Sequence, residues 1–300
     1  MGKADRVLVI GLDSMDQGMA RKWAAEGVLP HIAKLIESSV WGAVKTPPGL
    51  VGGAVWPTFY TGTWPSRHGL YYFWRQAYPG SYDLRQIEED DFTTPTIWES
   101  LSDAGKRVAV FDPPYTFLAR NLNGIQIRDW GTHAPMTCSE HRFEKARFQA
   151  NPSTLVDEIN ERFGPDRVGM CDHVPLHTAK DFADWRDGLV ERVRTRTDMS
   201  LHYLRQEPWD LFMTVFSECH CIGHHALQLR DPEHTLYDPD FAAHIGDPVR
   251  DVYIATDEAI GRLLEAADKD TLSLVLFSHG IEANYTGSDL LDKVLERIDG

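Results

Sequence analysis

Three short stretches of this 300-residue sequence carry side chains that commonly bind metal ions. Asp13 ends an apolar run near the N-terminus, His220 and His224 follow a second apolar run, and His279 follows a third. Carboxylate oxygens and imidazole nitrogens are ligands of borderline cations such as zinc and manganese. The sequence therefore contains the side chains of a metal site, provided that the fold brings the three stretches together.

Each of these residues also has an ordinary structural interpretation. Asp13 could cap a following helix. His220 and His224, four positions apart, could be polar residues of a turn, and His279 could hydrogen-bond a backbone carbonyl. The metal-site interpretation gains weight because three separate segments each place a ligand-type side chain at the end of a predicted strand.

The apolar runs before these residues predict buried strands of a parallel sheet. Residues 6–13, 210–216 and 272–277 form short continuous runs rich in β-branched or large apolar side chains, and residues 107–111 form another. Ligands of an open parallel sheet bind outside the carboxyl ends of its strands. We therefore expect Asp13 and the histidines to meet at one edge of the sheet.

Helices are predicted between the strands by apolar residues at helical spacing, at 30–36, 54–62, 96–104, 153–163, 180–205 and 252–266. Residues 41–44 predict a short additional strand, followed by a turn at 46–49. Strands that alternate with helices predict an α/β fold with a mainly parallel sheet and helices on both faces. We expect residues 1–300 to form one domain, with an irregular cap-like segment at about 118–178.

Composition narrows the class of protein. The formal net charge of -15 comes from acidic residues scattered along the chain, which excludes duplex nucleic acid as an expected partner. The early apolar run is much shorter than the ~20 residues of a membrane span and has no signal-peptide pattern around it. The four cysteines are too few for a disulfide framework, so we expect reduced thiols and a cytoplasmic protein. The oligomeric state stays open.

Four motifs give the chain a family resemblance. They are Val9-Ile-Gly-Leu-Asp13, the segment from Trp56 to Gly69 that ends in Thr-Gly-x-x-Pro-x-x-His-Gly, the segment at 96–108, and Phe277-Ser-His-Gly280. With these motifs, the chain resembles the type I phosphodiesterase and nucleotide pyrophosphatase branch of the alkaline phosphatase superfamily. The resemblance spans nearly the whole sequence, and the segment ending in His-Gly is its most specific part.

The resemblance implies an alkaline-phosphatase-like α/β/α sandwich that hydrolyses phosphate esters with two metal ions. Asp13 and His279 match ligands of the first ion in the family's pattern. His224 matches the histidine of the motif that binds the second ion, and His220 stands where that motif has an aspartate. The implied cofactor is a divalent metal, zinc or alternatively manganese, and the implied partner is a small-molecule phosphate ester or a related oxyanion.

The chain also departs from the family's pattern. Ser278 replaces the aspartate next to the metal-binding histidine. An ungapped count places Gly52 at the nucleophile position, and matching Trp56-Pro57 to the family's Phe-Pro places Val55 there; neither residue carries a nucleophile. Thr58 is a nearby hydroxyl that could serve as nucleophile, or could simply pack within its helix. Glu218 could supply the carboxylate that His220 replaces, and Ser278 itself could be a ligand. The sequence ends soon after His279, before the family's usual late histidine.

These observations leave three interpretations. We expect a metal-dependent hydrolase of phosphate esters, of phosphodiesterase or nucleotide pyrophosphatase type. The alternative is a catalytically impaired relative that serves as a metal-binding, oxyanion-binding or interaction protein, which Gly52 and Ser278 favour. The third is that the sequence belongs to a longer protein that carries the remaining ligands.

Overall fold

The computed structural model describes residues 5–46, 48, 50, 52–72, 75–131, 148–169, 176–283 and 294–298. Its strands, in chain order, are β1 (Arg6–Leu12), β2 (Arg75–Ala77), β3 (Leu84–Gln86), β4 (Val108–Phe111), β5 (Gly124–Arg128), β6 (Gln149–Asn151), β7 (Leu211–Phe216) and β8 (Thr271–Phe277). Its α-helices include α1 (Gln17–Ala25), α2 (Pro30–Ser38), α3 (Val55–Thr61), α4 (Pro65–His68), α5 (Ile97–Asp103), α6 (Leu155–Arg162), α7 (Ala179–Gln206), α8 (Glu218–Ala226), α9 (Pro239–Ile245) and α10 (Pro248–Ala266).

Six strands form one sheet in the order β6-β5-β4-β7-β1-β8, and β2 pairs with β3 in a separate ribbon. Every pair in the large sheet is parallel except β5 with β6. β1 lies inside the sheet, between β7 and β8, and apolar side chains pack on both of its faces. This explains why its sequence is apolar at almost every position. The predicted α/β class with a mainly parallel sheet is confirmed.

The sheet separates two apolar cores. Alternate residues of β1, Leu8, Ile10 and Leu12, belong to a large core that also contains side chains of α1, α2, α7 and α10. Val9 points to the opposite face, where Trp56 and other aromatic and aliphatic side chains from α3 and α5 form the second core. Helices therefore cover both faces, as the alternation of strands and helices predicted.

Most predicted elements are present, and two regions differ from the prediction. Residues 41–44 form no strand: Trp41 is 60% exposed and lies along the outside of the molecule, where no strand pairs with it. The predicted turn at 46–49 and the cap-like segment at 118–178 lie partly outside the described residues. Within that segment, β5 and β6 are strands of the large sheet, and α6 confirms the predicted helix.

The strand β5 escaped prediction because a polar residue interrupts its apolar pattern. Gln126 is fully buried, yet its side chain is satisfied. It accepts a hydrogen bond from the Ala119 backbone N–H at 2.7 Å and donates one to the Phe117 carbonyl at 2.9 Å. A buried amide that is fully hydrogen-bonded costs little, so it can replace an apolar residue in a central layer.

No helix among the described residues is long and apolar enough to cross a membrane.

Gly11 in β1 allows a large aromatic ring to lie directly on the strand. A Cβ atom at this position would come within 2.6 Å of Trp56 Cη2 and within 2.9 Å of Val215 Cγ2. Trp56 is 1% exposed and belongs to the second core. Because this ring can approach β1 only at a residue without a side chain, Gly11 determines where the indole of Trp56 lies.

We predict that Gly11→Ala lowers the free energy of unfolding by about 1–3 kcal/mol, because the methyl group overpacks a dense core. Gly42→Ala is the matched control, since a Cβ atom there meets no atom within 4 Å and the expected change is below ~0.5 kcal/mol. Chemical denaturation of the two variants measures the difference. Equal effects in both would show that the contact between Gly11 and Trp56 is not tightly packed.

Candidate metal centre

The strand register brings the predicted site residues to one level of one sheet edge. Leu12, the last residue of β1, lies opposite Phe216 of β7 and Phe277 of β8. The Asp13 backbone N–H donates to the Phe216 carbonyl at 2.8 Å, and the Ser278 N–H donates to the Leu12 carbonyl at 3.1 Å. The residues after the three strands therefore start side by side at the carboxyl edge, where ligands of parallel sheets bind.

The carboxylate of Asp13 is fully buried and surrounded by donors. Its Oδ1 accepts hydrogen bonds from Trp56 Nε1 at 2.7 Å and from the Ser278 hydroxyl at 3.2 Å. Its Oδ2 lies 2.8 Å from His220 Nδ1. A buried carboxylate is costly without such partners. Here they anchor one oxygen to the protein and leave the other directed at an imidazole.

His220 and His224 lie on the helix α8 rather than on a turn. Residues four apart share one helix face, which brings the two imidazoles together. Their Nε2 atoms are 2.6 Å apart. A contact this short requires that one nitrogen donates a proton and the other accepts it. The two rings therefore act as a hydrogen-bonded pair whose inner member, His220, contacts Asp13.

His279 combines the two roles that the sequence left open. Its Nδ1 lies 2.9 Å from the Gly280 carbonyl, an acceptor, so this nitrogen carries the proton. The other ring nitrogen, Nε2, lies 3.8 Å from Asp13 Oδ1. A backbone carbonyl that fixes the tautomer of a histidine is a common support of metal ligands.

Asp13, His220 and His279 together form a group that could hold a metal ion. Each offers one ligand atom, and these atoms all lie within 4.8 Å of one another. One carboxylate and two imidazoles are a donor set that suits zinc, with room for further ligands in a tetrahedral or larger shell. Among the residues that the structure describes, this group is the one that fits an ion, and His224 adjoins it through His220.

Ser278 and Gly52 border this group. The Ser278 hydroxyl donates to Asp13 and accepts a hydrogen bond from the Ser14 backbone N–H at 3.2 Å, so its position supports the carboxylate. A Cβ atom at Gly52 would lie 3.3 Å from His279 Nε2. The position that the ungapped count assigned to the nucleophile thus lies beside the site, but it carries no side chain.

The hydroxyl of Thr58 is occupied by two hydrogen bonds within its own region. It donates to the Ala54 carbonyl at 2.7 Å and lies 3.1 Å from His68 Nε2. His68 Nδ1 accepts from the Leu70 N–H, so Nε2 carries the ring proton and donates to Thr58. This arrangement favours the packing role of Thr58 over the nucleophile role.

Glu218 points to a different part of the molecule from the one we predicted. Its carboxylate is fully buried and lies 3.2 Å from Arg192 Nε and 3.6 Å from Arg196 Nε, both on α7. Arg196 also pairs with Asp112 at 2.7 Å. Two guanidinium groups already compensate the charge of Glu218, and it is not part of the group around Asp13. The geometry therefore corrects the predicted ligand role: Glu218 attaches the start of α8 to α7.

Sequence reasoning missed two residues of the site. Trp56 anchors Asp13 from the opposite core, and its motif position gave no sign of this hydrogen bond. Ser14 follows Asp13 with a φ of 52°, and its hydroxyl lies 2.9 Å from His220 Nδ1. A polar residue directly after the strand-terminal carboxylate was the available signal for Ser14.

We predict that Glu218→Gln lowers the free energy of unfolding by about 1–3 kcal/mol, because it removes the buried charge that attracts both arginines of α7, while Arg196 keeps Asp112 and Arg192 keeps Asp166. Glu207→Gln is the control, since Glu207 pairs with Arg107 at the exposed surface and is worth at most ~1 kcal/mol. Urea denaturation of both variants gives the comparison. A loss of metal affinity in Glu218→Gln without a loss of stability would restore the ligand role.

Burial of His68 predicts a pH dependence of stability. Desolvation lowers the pKa of His68 from 6.5 to about 4. The unfolded chain therefore binds a proton at His68 between these values while the folded protein does not. The free energy of unfolding is therefore highest above pH 6.5. It falls by at most ~3 kcal/mol as the pH is lowered to about 4.

The measurement is the free energy of unfolding of the wild type and of His68→Gln between pH 4 and 7. We expect the wild type to lose more stability than the variant across this range, because only its residue 68 titrates. Parallel curves for the two proteins would mean that folding does not lower the pKa of His68.

Comparisons with known proteins agree with the fold. Phosphonoacetate hydrolase from Sinorhizobium meliloti 1021 in complex with phosphonoformate has a TM-score of 0.54 at 15% identity, over 92% of this chain and 56% of that chain. The same enzyme in complex with phosphonoacetate has a TM-score of 0.55 at 17% identity, over 97% of this chain and 62% of that one. The chain thus spans less than two thirds of these neighbours' length. No curated protein matches it.

The alkaline-phosphatase-like α/β fold that the motifs implied is therefore confirmed. The model of one family, described as type I phosphodiesterase / nucleotide pyrophosphatase, matches residues 7–297 of the sequence. This chain belongs to the type I phosphodiesterase / nucleotide pyrophosphatase family.

Proposed function

We propose that this chain hydrolyses phosphate esters with a divalent cation held by Asp13, His220 and His279. The observation that carries the proposal is the convergence of these ligand atoms, from three separate strand ends, to within 4.8 Å of one another. Membership of a phosphodiesterase family supports the reaction type. The substrate class we propose is a small-molecule phosphate ester or a related oxyanion.

Zinc is the cation that we propose, with manganese as the alternative, because two imidazoles and one carboxylate suit a borderline ion. When bound, a divalent cation would offset charge on the phosphoryl oxygens and activate a water molecule or hydroxyl for attack. His224 stays a candidate ligand of a second ion. The proposal itself requires only one ion, bound by Asp13, His220 and His279.

The side chains around the ion have separate tasks in this proposal. Trp56 and Ser278 hold Asp13 Oδ1, so the carboxylate keeps one orientation while its other oxygen faces His220. His220 and His224 share a proton between their Nε2 atoms. Because His220 is a ligand in this proposal, His224 is the member of the pair that can take up the proton that the attacking group loses and return it to the leaving oxygen.

A cavity of about 540 Å³ begins at Ser278 and His279 and offers a place for the substrate. Its wall includes Trp41 and the cationic side chains Arg21 and Lys45. The Arg21 guanidinium lies 4.1 Å from the centre of the Trp41 ring. Positive charge beside an exposed aromatic ring suits an anionic substrate with an organic group, since the charge attracts the phosphate and the ring packs on the remainder.

A second candidate function is supported by Gly52. Gly52, which the ungapped count assigned to the nucleophile and which lies beside His279, has no side chain, and the hydroxyl of Thr58 is bonded to Ala54. A chain that binds a cation and an oxyanion without turning the ester over would fit this geometry. The same would hold if residues of a longer protein complete the site.

The deciding experiment is turnover of bis-p-nitrophenyl phosphate and p-nitrophenyl phosphate with added zinc or manganese. We predict that Asp13→Asn reduces the rate by at least about 100-fold, because it removes the ligand charge at the centre of the site. Thermal unfolding of the variant checks that it is folded.

Three results would contradict the proposal or redirect it. Equal rates in the wild type and Asp13→Asn would trace the activity to another site or to a contaminant. A rate that does not respond to metal removal would exclude the cation from the reaction. A wild type that binds metal and an oxyanion but turns over neither substrate would favour the binding function.

A further inference from the structure

The outer edge of β8 leaves apolar side chains exposed beside the candidate metal centre. β8 is the last strand of the large sheet, and within the described part of the chain no strand pairs with its outer edge. Leu272 and Leu274 are 53% and 41% exposed, whereas Leu276, on the same face, is buried in the second core. Exposed apolar residues that lie close together mark a binding surface, unlike single scattered ones.

The cavity of about 540 Å³ that begins at the candidate centre follows this edge of β8. Its wall includes every residue from Ser273 to Phe277 and continues through Ser278 and His279. At a rise of about 3.3 Å per residue, the five strand residues extend over about 13 Å. One end of the cavity therefore borders the centre, and the other end lies beyond the reach of a small phosphate ester.

The rest of the wall is mainly apolar. The helix α2 and the exposed segment after it contribute Ile32, Leu35, Ile36, Val40, Trp41 and Val44. Among the described residues of the wall none is acidic, and Arg21 and Lys45 are cationic. A volume of this size, with apolar walls and a few polar groups, is typical of sites for small organic ligands.

These properties specify the ligand more closely than its charge does. An anion can lie at the end of the cavity where the histidine and the cationic side chains are. The organic group attached to it then lies along Leu274 and Trp41. An apolar group gains free energy by covering these exposed side chains, whereas a polar group would lose water and find few hydrogen-bonding side chains in exchange.

We propose that the substrates are phosphate esters with a large alkyl or aryl group, which packs in this cavity against Leu274 and Trp41. The inference rests on the proposed function for the phosphoryl end of the substrate. It goes further in naming the class of the organic group and two residues that determine specificity for it.

Binding of alkylphosphonates, which cannot be hydrolysed as esters, tests the cavity without reference to turnover. Isothermal titration of the zinc-loaded protein gives the dissociation constants of methylphosphonate and octylphosphonate. A fully buried methylene group strengthens binding roughly fourfold. The cavity is open to solvent at Trp41 and Leu274, so we expect about twofold for each of the seven additional methylene groups, or about 100-fold in total.

Two neighbouring leucines of β8 provide a matched pair of variants. Leu274 belongs to the wall of the cavity, and Leu272, two residues earlier on the same face, does not. We expect Leu274→Ser and Trp41→Ala to lower the ratio of octylphosphonate to methylphosphonate affinity by about 3- to 10-fold, and Leu272→Ser to leave this ratio unchanged. All three side chains are substantially exposed, so thermal unfolding should show that the variants are folded.

The outcomes separate this inference from the proposed function. Equal affinities for the two phosphonates, or a ratio that falls equally in Leu272→Ser and Leu274→Ser, would overturn the role of the cavity. So would a dimer, measured by light scattering, that binds no octylphosphonate, because a second copy would then cover the edge of β8. Tight octylphosphonate binding without turnover of p-nitrophenyl octyl phosphate would support this inference and contradict the proposed function. Turnover that is equally fast for the p-nitrophenyl methyl and octyl esters would do the reverse.

Discussion

The register of three parallel strands is the constraint on which the candidate centre depends. Leu12, Phe216 and Phe277 lie side by side, so the residues that follow them leave the sheet at one level. A shift of one residue in either pairing would turn alternate side chains to the other face. It would also move Asp13 or His279 along the strand direction by about 3.3 Å, close to the spacing between ligand atoms. The strand register that buries the apolar side chains is therefore the same register that brings the site residues together.

The buried carboxylate of Asp13 is held in the candidate site by a side chain of the second core. Gly11 admits the Trp56 ring against β1, and the indole N–H of that ring then reaches Asp13 at 2.7 Å. On the other side of the site, Glu218 and the arginines of α7 hold α8, which carries His220. Asp13 and His220 are thus each positioned by contacts that lie outside the centre, and such preorganisation is what a metal site requires.

The fold was largely predictable because its signals are local. Continuous apolar runs marked β1, β7 and β8, and helical spacing marked α7 and α10. Residues 41–44 resembled a strand in composition, but no neighbouring strand pairs with them. The strand β5 was missed because Gln126 is buried through side-chain hydrogen bonds that no sequence pattern reveals.

The site was less predictable because its contacts join residues far apart in sequence. The motifs identified Asp13, His220, His224 and His279, and the first two lie 2.8 Å apart. Glu218 was predicted as a ligand because His220 replaces the aspartate of the family's motif and removes its negative charge, whereas the helix directs the Glu218 carboxylate to α7. Ser14 was overlooked because its importance comes from a backbone angle, and Trp56 because its role is one hydrogen bond across the sheet.

The most direct test is a crystal structure of the zinc-loaded protein with anomalous diffraction recorded on both sides of the zinc absorption edge. We expect one strong anomalous peak bounded by Asp13, His220 and His279. A peak elsewhere, with Asp13 hydrogen-bonded to His220, would contradict the central claim that the ends of β1, β7 and β8 form a cation site.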